Sequence, residues 1–416
     1  MHAADRLISF VDASPTPFHA CETAAARLTE AGFTAVDPRD AWPTAAGRHF
    51  IVSGGTLVAW STGADAPAHA GFRIVGAHTD SPNLRLKQHH DGWRDGQATV
   101  ALEPYGGPLL ESWLDLDLGI AGRVALSDGT TRTVRVDEPL LRVPRLAIHL
   151  DRDGSKLDRQ RHLDALAGLT RRPFLEVVGE RAGFDGAAVT GFDLMTFDLR
   201  PSGRTGPDGE LVAAPRLDNQ ATCSAALDAL LGAVEAGDSS ARHVMVLFDH
   251  EEVGSTSERG ADSPLLSSVL ERIVLAAGGS RDDVFRAVAA SVCVSGDMAH
   301  ATHPNQADKH EPLHRIALGG GPVLKVNQNL RYATDGVGAG IFAAACTAAD
   351  VPLQRYVHRA DLPCGSTIGP ISAARTGILT IDVGAPQLAM HSAREVMAAT
   401  DVDSYGRALR SFLISD

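Results

Sequence analysis

Cysteine is scarce in this sequence, and its distribution excludes two kinds of architecture. The cysteines are scattered, odd in number and without a Cys-x-x-Cys pair. They are Cys21, Cys223, Cys293, Cys346 and Cys364. Such spacing argues against a disulfide framework and against a zinc site built from thiolates. We therefore expect reduced, mostly buried thiols and a cytoplasmic location.

Positive charge and long hydrophobic runs are also lacking. The formal net charge is −13, which argues against a nucleic-acid partner. No basic run suggests binding to an anionic membrane surface, and no apolar run reaches the ~20 residues that a membrane-spanning helix needs. Residues 1–6 lack the basic region and the long apolar core that begin a secretory signal. We expect neither nucleic acid nor a membrane as a partner.

The composition that remains is typical of a globular enzyme. Of the 416 residues, 44% are hydrophobic and 21% are charged, and this length suggests two domains or one domain with a large insertion. Residues 1–87 and 213–416 have the alternating pattern of an α/β domain. The predicted helices are 20–28 and 221–234, and the predicted strands are 72–76, 243–248, 291–295 and 378–383.

Residues 88–212 have a different, β-rich pattern. Two alternating runs, 122–126 and 131–136, flank Asp128 and Gly129, and an Asp-Gly pair in this setting is a strong signal for a β-hairpin. Further predicted strands are 174–178 and 189–199. We interpret this region as a domain inserted into the α/β domain.

Two adjacent carboxylates, Glu251 and Glu252, follow the apolar run 244–248. Carboxylates are rarely buried unless they are paired or bound to a metal. One of the two could therefore ligate a metal while the other takes a proton from water. The alternative is a solvated junction between a strand and a loop, which is the commoner role of such a pair in isolation.

Further potential ligands lie at the ends of predicted elements. They are His78, Asp80, Asp218, Asp297 and His391. In open α/β sheets, ligands collect beyond the carboxyl ends of the strands. Imidazole and carboxylate suit zinc, with manganese and cobalt as alternatives, and a bridging carboxylate allows five ligands to hold two ions. Taken singly, each residue could instead be an ordinary loop, turn, helix N-cap or surface residue.

Seven motifs are spread along the chain. They are 77–82 (AHTDSP), 142–149 (RVPRLAIH), 216–219 (RLDN), 249–255 (DHEEVGS), 296–301 (GDMAHA), 365–370 (GSTIGP) and 387–392 (QLAMHS). Together and in this order, they resemble the aspartyl aminopeptidase family of dinuclear zinc metallo-aminopeptidases over nearly the whole chain. The departures are Gln306, where the family leads us to expect an aromatic residue, and His250, which is a variable position.

The resemblance implies a fold and a metal site. The fold is a central mixed sheet flanked by helices, of the zinc exopeptidase type, with an inserted β-rich oligomerisation domain. The implied zinc ligands are His78, Asp218 and Asp297 for one ion, and Asp218, Glu252 and His391 for the other. Asp218 would thus bridge two zinc ions in each subunit. Asp80 would hydrogen-bond His78 and fix its tautomer, and Glu251 would be the general base.

The resemblance also implies a substrate pocket and an oligomer. Lys325 would pair with an acidic side chain of the substrate, and Tyr332 would line the same pocket. On base rates alone, a lysine between apolar residues is usually an exposed strand position. His149, which lies within the insertion, would reach the active site of a neighbouring subunit and help bind the substrate or its oxyanion. The implied assembly is a homo-oligomer, a tetrahedral dodecamer.

We therefore expect a cytoplasmic aminopeptidase that removes N-terminal residues, preferably Asp or Glu, from peptides by attack of metal-activated water. Alternatives are an aminopeptidase of the same fold that prefers apolar residues, and a related dinuclear amidohydrolase. A third alternative, an assembly protein with a vestigial site, is disfavoured because the five ligands and Glu251 are all present.

Overall fold

The computed structural model describes residues 2–42, 46–152, 154, 156–237, 240 and 242–415. Within this part of the chain the α-helices are α1 (Ala3–Ala13), α2 (Pro17–Glu30), α3 (Phe174–Ala182), α4 (Leu217–Ala236), α5 (Leu265–Ala276), α6 (Arg281–Ala289), α7 (Gly336–Ala348), α8 (Ile368–Thr376) and α9 (Ala399–Ile414). None of the helices in the described ranges combines the length and the hydrophobicity that crossing a membrane requires.

The strands form three sheets. They are β1 (Thr34–Ala35), β2 (Gly47–Ser53), β3 (Thr56–Thr62), β4 (Arg73–His78), β5 (Asn83–Arg94), β6 (Gln97–Tyr105), β7 (Leu118–Leu126), β8 (Thr131–Leu141), β9 (Ala165–Gly168), β10 (Val189–Asp198), β11 (Gly203–Thr205), β12 (Leu211–Ala214), β13 (Arg242–Phe248), β14 (Val292–Gly296), β15 (Ala299–His300), β16 (Val323–Val326), β17 (Gln354–Val357), β18 (Leu379–Gly384), β19 (Pro386–Leu388) and β20 (Glu395–Ala398).

The largest sheet is mixed, with the order β1-β2-β3-β13-β4-β14-β18-β16-β17. Its central strands β13, β4, β14 and β18 are parallel to one another, whereas β3 and β16 run antiparallel to their central neighbours. Every residue of β13 and β14 is buried, which explains why these strands are continuous apolar runs in the sequence rather than alternating ones. The predicted α/β fold with a central mixed sheet is confirmed.

Helices cover both faces of this sheet. On one face, α1, α2, α4, α7 and α9 share a core that includes Leu7, Leu227, Phe342 and Phe412. On the other face, α5, α6 and α8 pack through residues such as Leu270. Burial of each large apolar side chain contributes roughly 1.5–3 kcal/mol. Because helices cover both faces of the sheet, a site can form only at the ends of its strands.

The second sheet is antiparallel and belongs to the middle of the chain. Its order is β8-β7-β10-β5-β6-β9, and it has a core of its own. The predicted hairpin is present, with Val124 opposite Arg132. The sheet extends from Asn83 to Asp198, so it begins before residue 88, while β12 pairs with β20 in a third sheet. The role of residues 88–212 as an oligomerisation domain stays a prediction.

One strand prediction in this region is wrong. Residues 174–178 belong to helix α3, not to a strand. The buried residues Phe174 and Val178 are four positions apart, which is the spacing of one helical face. Pro173 precedes the helix, and Gly183 ends it at φ 78° with its amide bonded to the carbonyl of Gly179. These start and stop signals outweigh the β propensity of the short apolar run.

The third sheet, with the order β11-β12-β20-β19-β15, joins distant parts of the chain. Ala214 at the end of β12 pairs with Glu395 at the start of β20. Asp218 follows β12 closely, and His391 lies between β19 and β20. The pairing of β12 with β20 therefore brings these two predicted ligands to the same place.

Candidate metal centre

The predicted ligands converge at one edge of the nine-stranded sheet. His78 is the last residue of β4, and Asp297 follows the end of β14 directly. Glu251 and Glu252 lie in a 3₁₀ turn just after β13. Because β4, β13 and β14 are parallel neighbours, their carboxyl ends meet at this edge. Asp218 reaches the same place from the start of α4.

Two groups of three potential ligands share Asp218. Nε2 of His78 lies 3.4 Å from Asp218 Oδ1 and 3.9 Å from Asp297 Oδ1. Nε2 of His391 lies 3.4 Å from Asp218 Oδ2 and 3.4 Å from Glu252 Oε2. The two oxygens of Asp218 thus face different histidines. This is the arrangement expected of a carboxylate that bridges two cations.

A third combination in the described residues joins His78, Glu251 and Glu252. In it, Nε2 of His78 lies 4.0 Å from Oε2 of Glu251. Glu251 is therefore at the cluster, but it is absent from both groups that contain Asp218. Its position is compatible with a base beside the metal ligands.

Both histidines present the same nitrogen to the cluster. Nδ1 of His78 lies 3.0 Å from the carbonyl oxygen of Asp80, and Nδ1 of His391 lies 3.1 Å from that of Gly107. A carbonyl oxygen can only accept, so Nδ1 donates in each case and the lone pair of Nε2 faces the carboxylates. Fixing the tautomer in this way is typical of histidines that ligate metals.

The charge of the cluster favours cations. Burial lowers the pKa of His391, but the Asp218 and Glu252 carboxylates raise it to a net value of about 10. For Asp218, burial alone would raise the pKa. Its contacts with His391 and His78 outweigh burial and hold the pKa of Asp218 well below its usual range. The negative carboxylates thus stabilise the protonated, positively charged form of both histidines. Metal ions can supply that charge and displace the protons.

Two buried carboxylate oxygens support the same conclusion. Asp218 Oδ1 and Glu252 Oε1 are buried and make no hydrogen bond. Buried charged oxygens without a donor are costly, and zinc binds carboxylate oxygen and imidazole nitrogen. The donor set therefore fits zinc. Burial also raises the pKa of Glu251 to about 8, and a nearby cation would lower that pKa again.

The Asp80 carboxylate accepts three hydrogen bonds and also lies close to His78. Its Oδ1 is 3.5 Å from Nδ1 of His78 and accepts the Glu251 amide at 3.1 Å. Its Oδ2 accepts the Glu252 amide at 3.1 Å and the hydroxyl of Tyr105 at 2.7 Å. The prediction names the Asp80 carboxylate as the partner of His78, and the structure adds the carbonyl of Asp80, which is closer. Asp80 therefore connects a histidine ligand to the backbone of the glutamate pair.

A part of the second sheet that was not predicted from the sequence contacts this centre. Tyr105 ends β6, and the guanidinium of Arg85 lies 3.5 Å from the centre of its ring. Gly106 follows Tyr105, and a Cβ atom added to Gly106 would lie 3.1 Å from Cβ of Glu252. The amide of Leu109 donates to the carbonyl of His391 at 2.9 Å. The only sequence signal was an aromatic residue followed by two glycines, which allow close approach of a backbone.

Glu395 was also missed. It is buried, and its carboxylate accepts the amides of Asp218 and His391. Burial raises the pKa of Glu395 to about 8. Nothing in the sequence distinguishes this glutamate from a surface residue. Its contact with His391 is local, four positions away, and Asp218 is brought to it only by the pairing of β12 with β20.

The predicted pocket residues Lys325 and Tyr332 lie together beside the cluster. Lys325 is 3% exposed, so the alternative of an exposed strand position is wrong. Its Nζ lies 3.8 Å from Asp297 Oδ1 and 5.4 Å from the centre of the Tyr332 ring. Tyr332 also packs against Tyr356, with ring centres 6.3 Å apart. A buried cation and two aromatic rings therefore adjoin the candidate metal centre.

His149 is placed differently. It is exposed, and it belongs to none of the ligand groups found among the described residues. The neighbouring apolar residues Leu146, Ile148 and Leu150 are 58%, 63% and 74% exposed. The segment is therefore an exposed run that carries several large apolar side chains.

The fold and the site define a class of protein, the metal-dependent hydrolases built on an α/β sheet. The chain belongs to one family of that class, described as "Aminopeptidase I zinc metalloprotease (M18)", which matches residues 10–413. It is therefore a metal-dependent aminopeptidase, and the resemblance seen in its motifs is confirmed.

Individual relatives agree with this assignment. The chain is 58% identical over 428 residues to the "Probable M18 family aminopeptidase 2" of Mycobacterium leprae (strain TN), covering 100% of this chain and 99% of that protein. It is 34% identical, with a TM-score of 0.95, to a chain in the cryo-EM structure of the Ape4 and Nbr1 complex, covering 99% and 85%. It is 27% identical, with a TM-score of 0.86, to a chain in "Structure of S. cerevesiae mApe1 dodecamer", covering 98% and 95%.

Proposed function

We propose that this aminopeptidase uses two zinc ions and removes N-terminal Asp or Glu residues from peptides. One ion would be held by His78, Asp218 and Asp297, and the other by Asp218, Glu252 and His391. The observation that carries this proposal is the position of Asp218, whose two oxygens face two different histidines. Manganese or cobalt could replace zinc, because both accept imidazole and carboxylate ligands.

Bound zinc would polarise the scissile carbonyl and make water a better nucleophile at neutral pH. Glu251 is the residue of this chain that moves the proton. It is close to His78 yet outside both Asp218 groups, so its carboxylate can accept the proton of the attacking water. The same carboxyl group then returns the proton to the amine that leaves. Asp80 positions His78 and the amides of the glutamate pair.

We further propose that Lys325 recognises the acidic side chain of the substrate. Support comes from its burial, because a desolvated ammonium group interacts strongly with a carboxylate. The net charge of −13 repels acidic peptides at long range, so recognition needs a local positive charge. Tyr332 would form one wall of the same pocket and limit access of water to the ion pair.

A preference for apolar residues is the second candidate. The nearest carboxylate to Lys325 is that of Asp297, at 3.8 Å, and this contact neutralises part of the lysine charge. Tyr332 and Tyr356 add apolar surface next to it. Such a pocket would accept a leucine side chain as well as an acidic one. A related amidohydrolase activity would differ in a simpler way, because it would not need a free amino terminus.

The assembly and the location are also proposals. We propose a homo-oligomer, a tetrahedral dodecamer, in which the exposed segment around His149 reaches the active site of a neighbouring subunit. The exposed apolar residues of that segment support a contact between subunits, and a dodecamer is described for mApe1. Peptides as substrates and reduced cysteines are compatible with the predicted cytoplasmic location.

The test combines metal analysis with a matched set of peptides. Zinc per chain is measured first, and kcat/KM is then determined for peptides that begin with Asp, Glu or Leu and are otherwise identical. We expect two zinc ions per chain and the highest kcat/KM for the acidic peptides. N-acetylation of the same peptides should abolish cleavage. Equal cleavage of Leu peptides would favour the second candidate, and cleavage of acetylated peptides would favour an amidohydrolase.

A further inference from the structure

Glu395 holds the backbone of two proposed metal ligands at once. The residue is 1% exposed. Its Oε2 accepts a hydrogen bond from the amide of Asp218 at 2.9 Å, and its Oε1 accepts one from the amide of His391 at 2.7 Å. One side chain therefore connects the segment that carries the shared carboxylate to the segment that carries the second histidine.

Neither segment is fixed by regular secondary structure at the ligand itself. His391 has φ 67°, a left-handed conformation that residues other than glycine rarely adopt. Asp218 lies at the start of α4 but has non-helical torsions, φ −80° and ψ 105°. The left-handed conformation of His391 is of a kind that persists only where surrounding contacts determine it. In both cases Glu395 accepts the hydrogen bond of the backbone amide.

The sheet that carries Glu395 is well placed for this task. Glu395 is the first residue of β20, which pairs with β12 on one side and with β19 on the other. The chain enters α4 from β12, and it reaches His391 from β19. Glu395 thus lies between the two segments, and its strand is anchored to both of them.

We infer that Glu395 is a positioning residue of the metal centre, which sets the spacing between Asp218 and His391 by accepting both amides. It belongs to none of the ligand groups found in the described residues, so it acts through the ligands. A carboxylate suits this role because both of its oxygens accept hydrogen bonds. The inference rests on the ligand set of the proposed function.

Two substitutions of Glu395 separate the contribution of its charge from that of its side-chain length. Glu395→Gln keeps the shape but replaces one oxygen with an NH₂ group, which would face an amide donor. Glu395→Asp keeps the charge but shortens the side chain, so that it cannot reach both amides. Asp401→Asn is the matched control. Asp401 is also buried and accepts two amides, those of Gly319 at 2.7 Å and Gly321 at 2.9 Å.

The measurement is a zinc titration of each chelator-treated full-length variant, with bound zinc per chain determined at buffered free zinc concentrations. Partners that orient metal ligands typically contribute about 10–100-fold in metal affinity. We expect a loss in this range for both Glu395 variants and an unchanged titration for Asp401→Asn. Added zinc should restore much of kcat in the Glu395 variants, with little change in KM.

Several outcomes would overturn the inference. It fails if both Glu395 variants bind zinc as tightly as the unsubstituted protein, or if Asp401→Asn weakens zinc binding equally. If the glutamine variant does not fold, the aspartate variant decides alone. Asp218→Ala, titrated in parallel, separates this inference from the proposed ligand set. If Asp218→Ala keeps both zinc ions, the ligand set is wrong. If it loses them while the Glu395 variants do not, only the role of Glu395 is wrong.

Discussion

Among single residues, Glu251 is the one whose chemistry is easiest to separate from metal binding. It lies beside His78 but outside the two groups that share Asp218. We expect Glu251→Gln to retain its zinc and to lose about 10²–10⁴-fold in kcat, the usual contribution of a general acid–base group. Zinc per chain and kcat should be measured on the same preparation. Glu252→Gln is the matched control, because it should lose zinc as well as activity.

A zinc-loaded Glu251→Gln variant with near-normal turnover would contradict the assignment of the base. Loss of zinc from that variant would instead place Glu251 among the ligands, as in the third combination with His78 and Glu252. The two glutamates are adjacent in sequence, so their roles can be distinguished only by comparing both substitutions.

Lys325 is a second single residue that can be tested, in this case for its effect on substrate preference. We expect Lys325→Met to lower kcat/KM for Asp and Glu peptides far more than for Leu peptides, because the buried ammonium group would no longer pair with the substrate carboxylate. Charge-assisted hydrogen bonds contribute roughly 1.5–3 kcal/mol, which corresponds to about tenfold or more. A uniform loss on all peptides would show that Lys325 acts mainly through Asp297, which it contacts.

The sequence was informative about residues whose neighbours along the chain identify them. His78 and the glutamate pair lie in short motifs directly after apolar strands, so their grouping at strand ends could be predicted. Glu395 could not be predicted in this way, because its partner Asp218 is 177 positions away. The same holds for Tyr105, which belongs to the second sheet and donates its hydroxyl to Asp80 in the segment after β4. Residues that position ligands are recognised only by their contacts.

Among the elements, β6 links the second sheet to the metal centre. Its last residue, Tyr105, donates to Asp80, which in turn contacts His78 and the amides of the glutamate pair. We expect Tyr105→Phe to lower both the affinity for zinc and kcat, because Asp80 would lose one of its donors. The loss should be within the 10–100-fold range of ligand-orienting partners. A change in KM alone, with normal zinc binding, would contradict a role at the metal centre.

Elements were predicted well in residues 213–416 and less well in residues 88–212. The central strands are long buried runs between clear breaks, so β13, β14 and β18 were found within one or two residues. Helix α3 was mistaken for a strand because a short apolar run fits both elements. Its helical character depends on Pro173 and Gly183 at its ends. The predicted start of the insertion at residue 88 falls inside β5, which pairs in the second sheet from Asn83 onward.

For the whole molecule, the position of His149 makes an exchange experiment decisive. We expect His149→Ala and Glu251→Gln each to be nearly inactive alone. Mixed oligomers of the two should recover activity, because some sites combine an intact Glu251 with an intact His149 from the neighbouring subunit. Activity is measured after verified exchange of subunits. No recovery in such mixtures would show that His149 does not act across an interface.

The proposed ligands come from five separate segments, the first at the end of β4 and the last just before β20. The chain must therefore complete nearly all of its folding before the full ligand set exists. An unfolded chain cannot offer these atoms at one place, so zinc binds the folded state selectively and shifts the folding equilibrium. At a free zinc concentration about 1,000 times the Kd, this linkage amounts to roughly 4 kcal/mol. The zinc ions that take part in catalysis would then also stabilise the folded state against thermal unfolding. A chelator would lower the Tm before any other change in the protein could be detected.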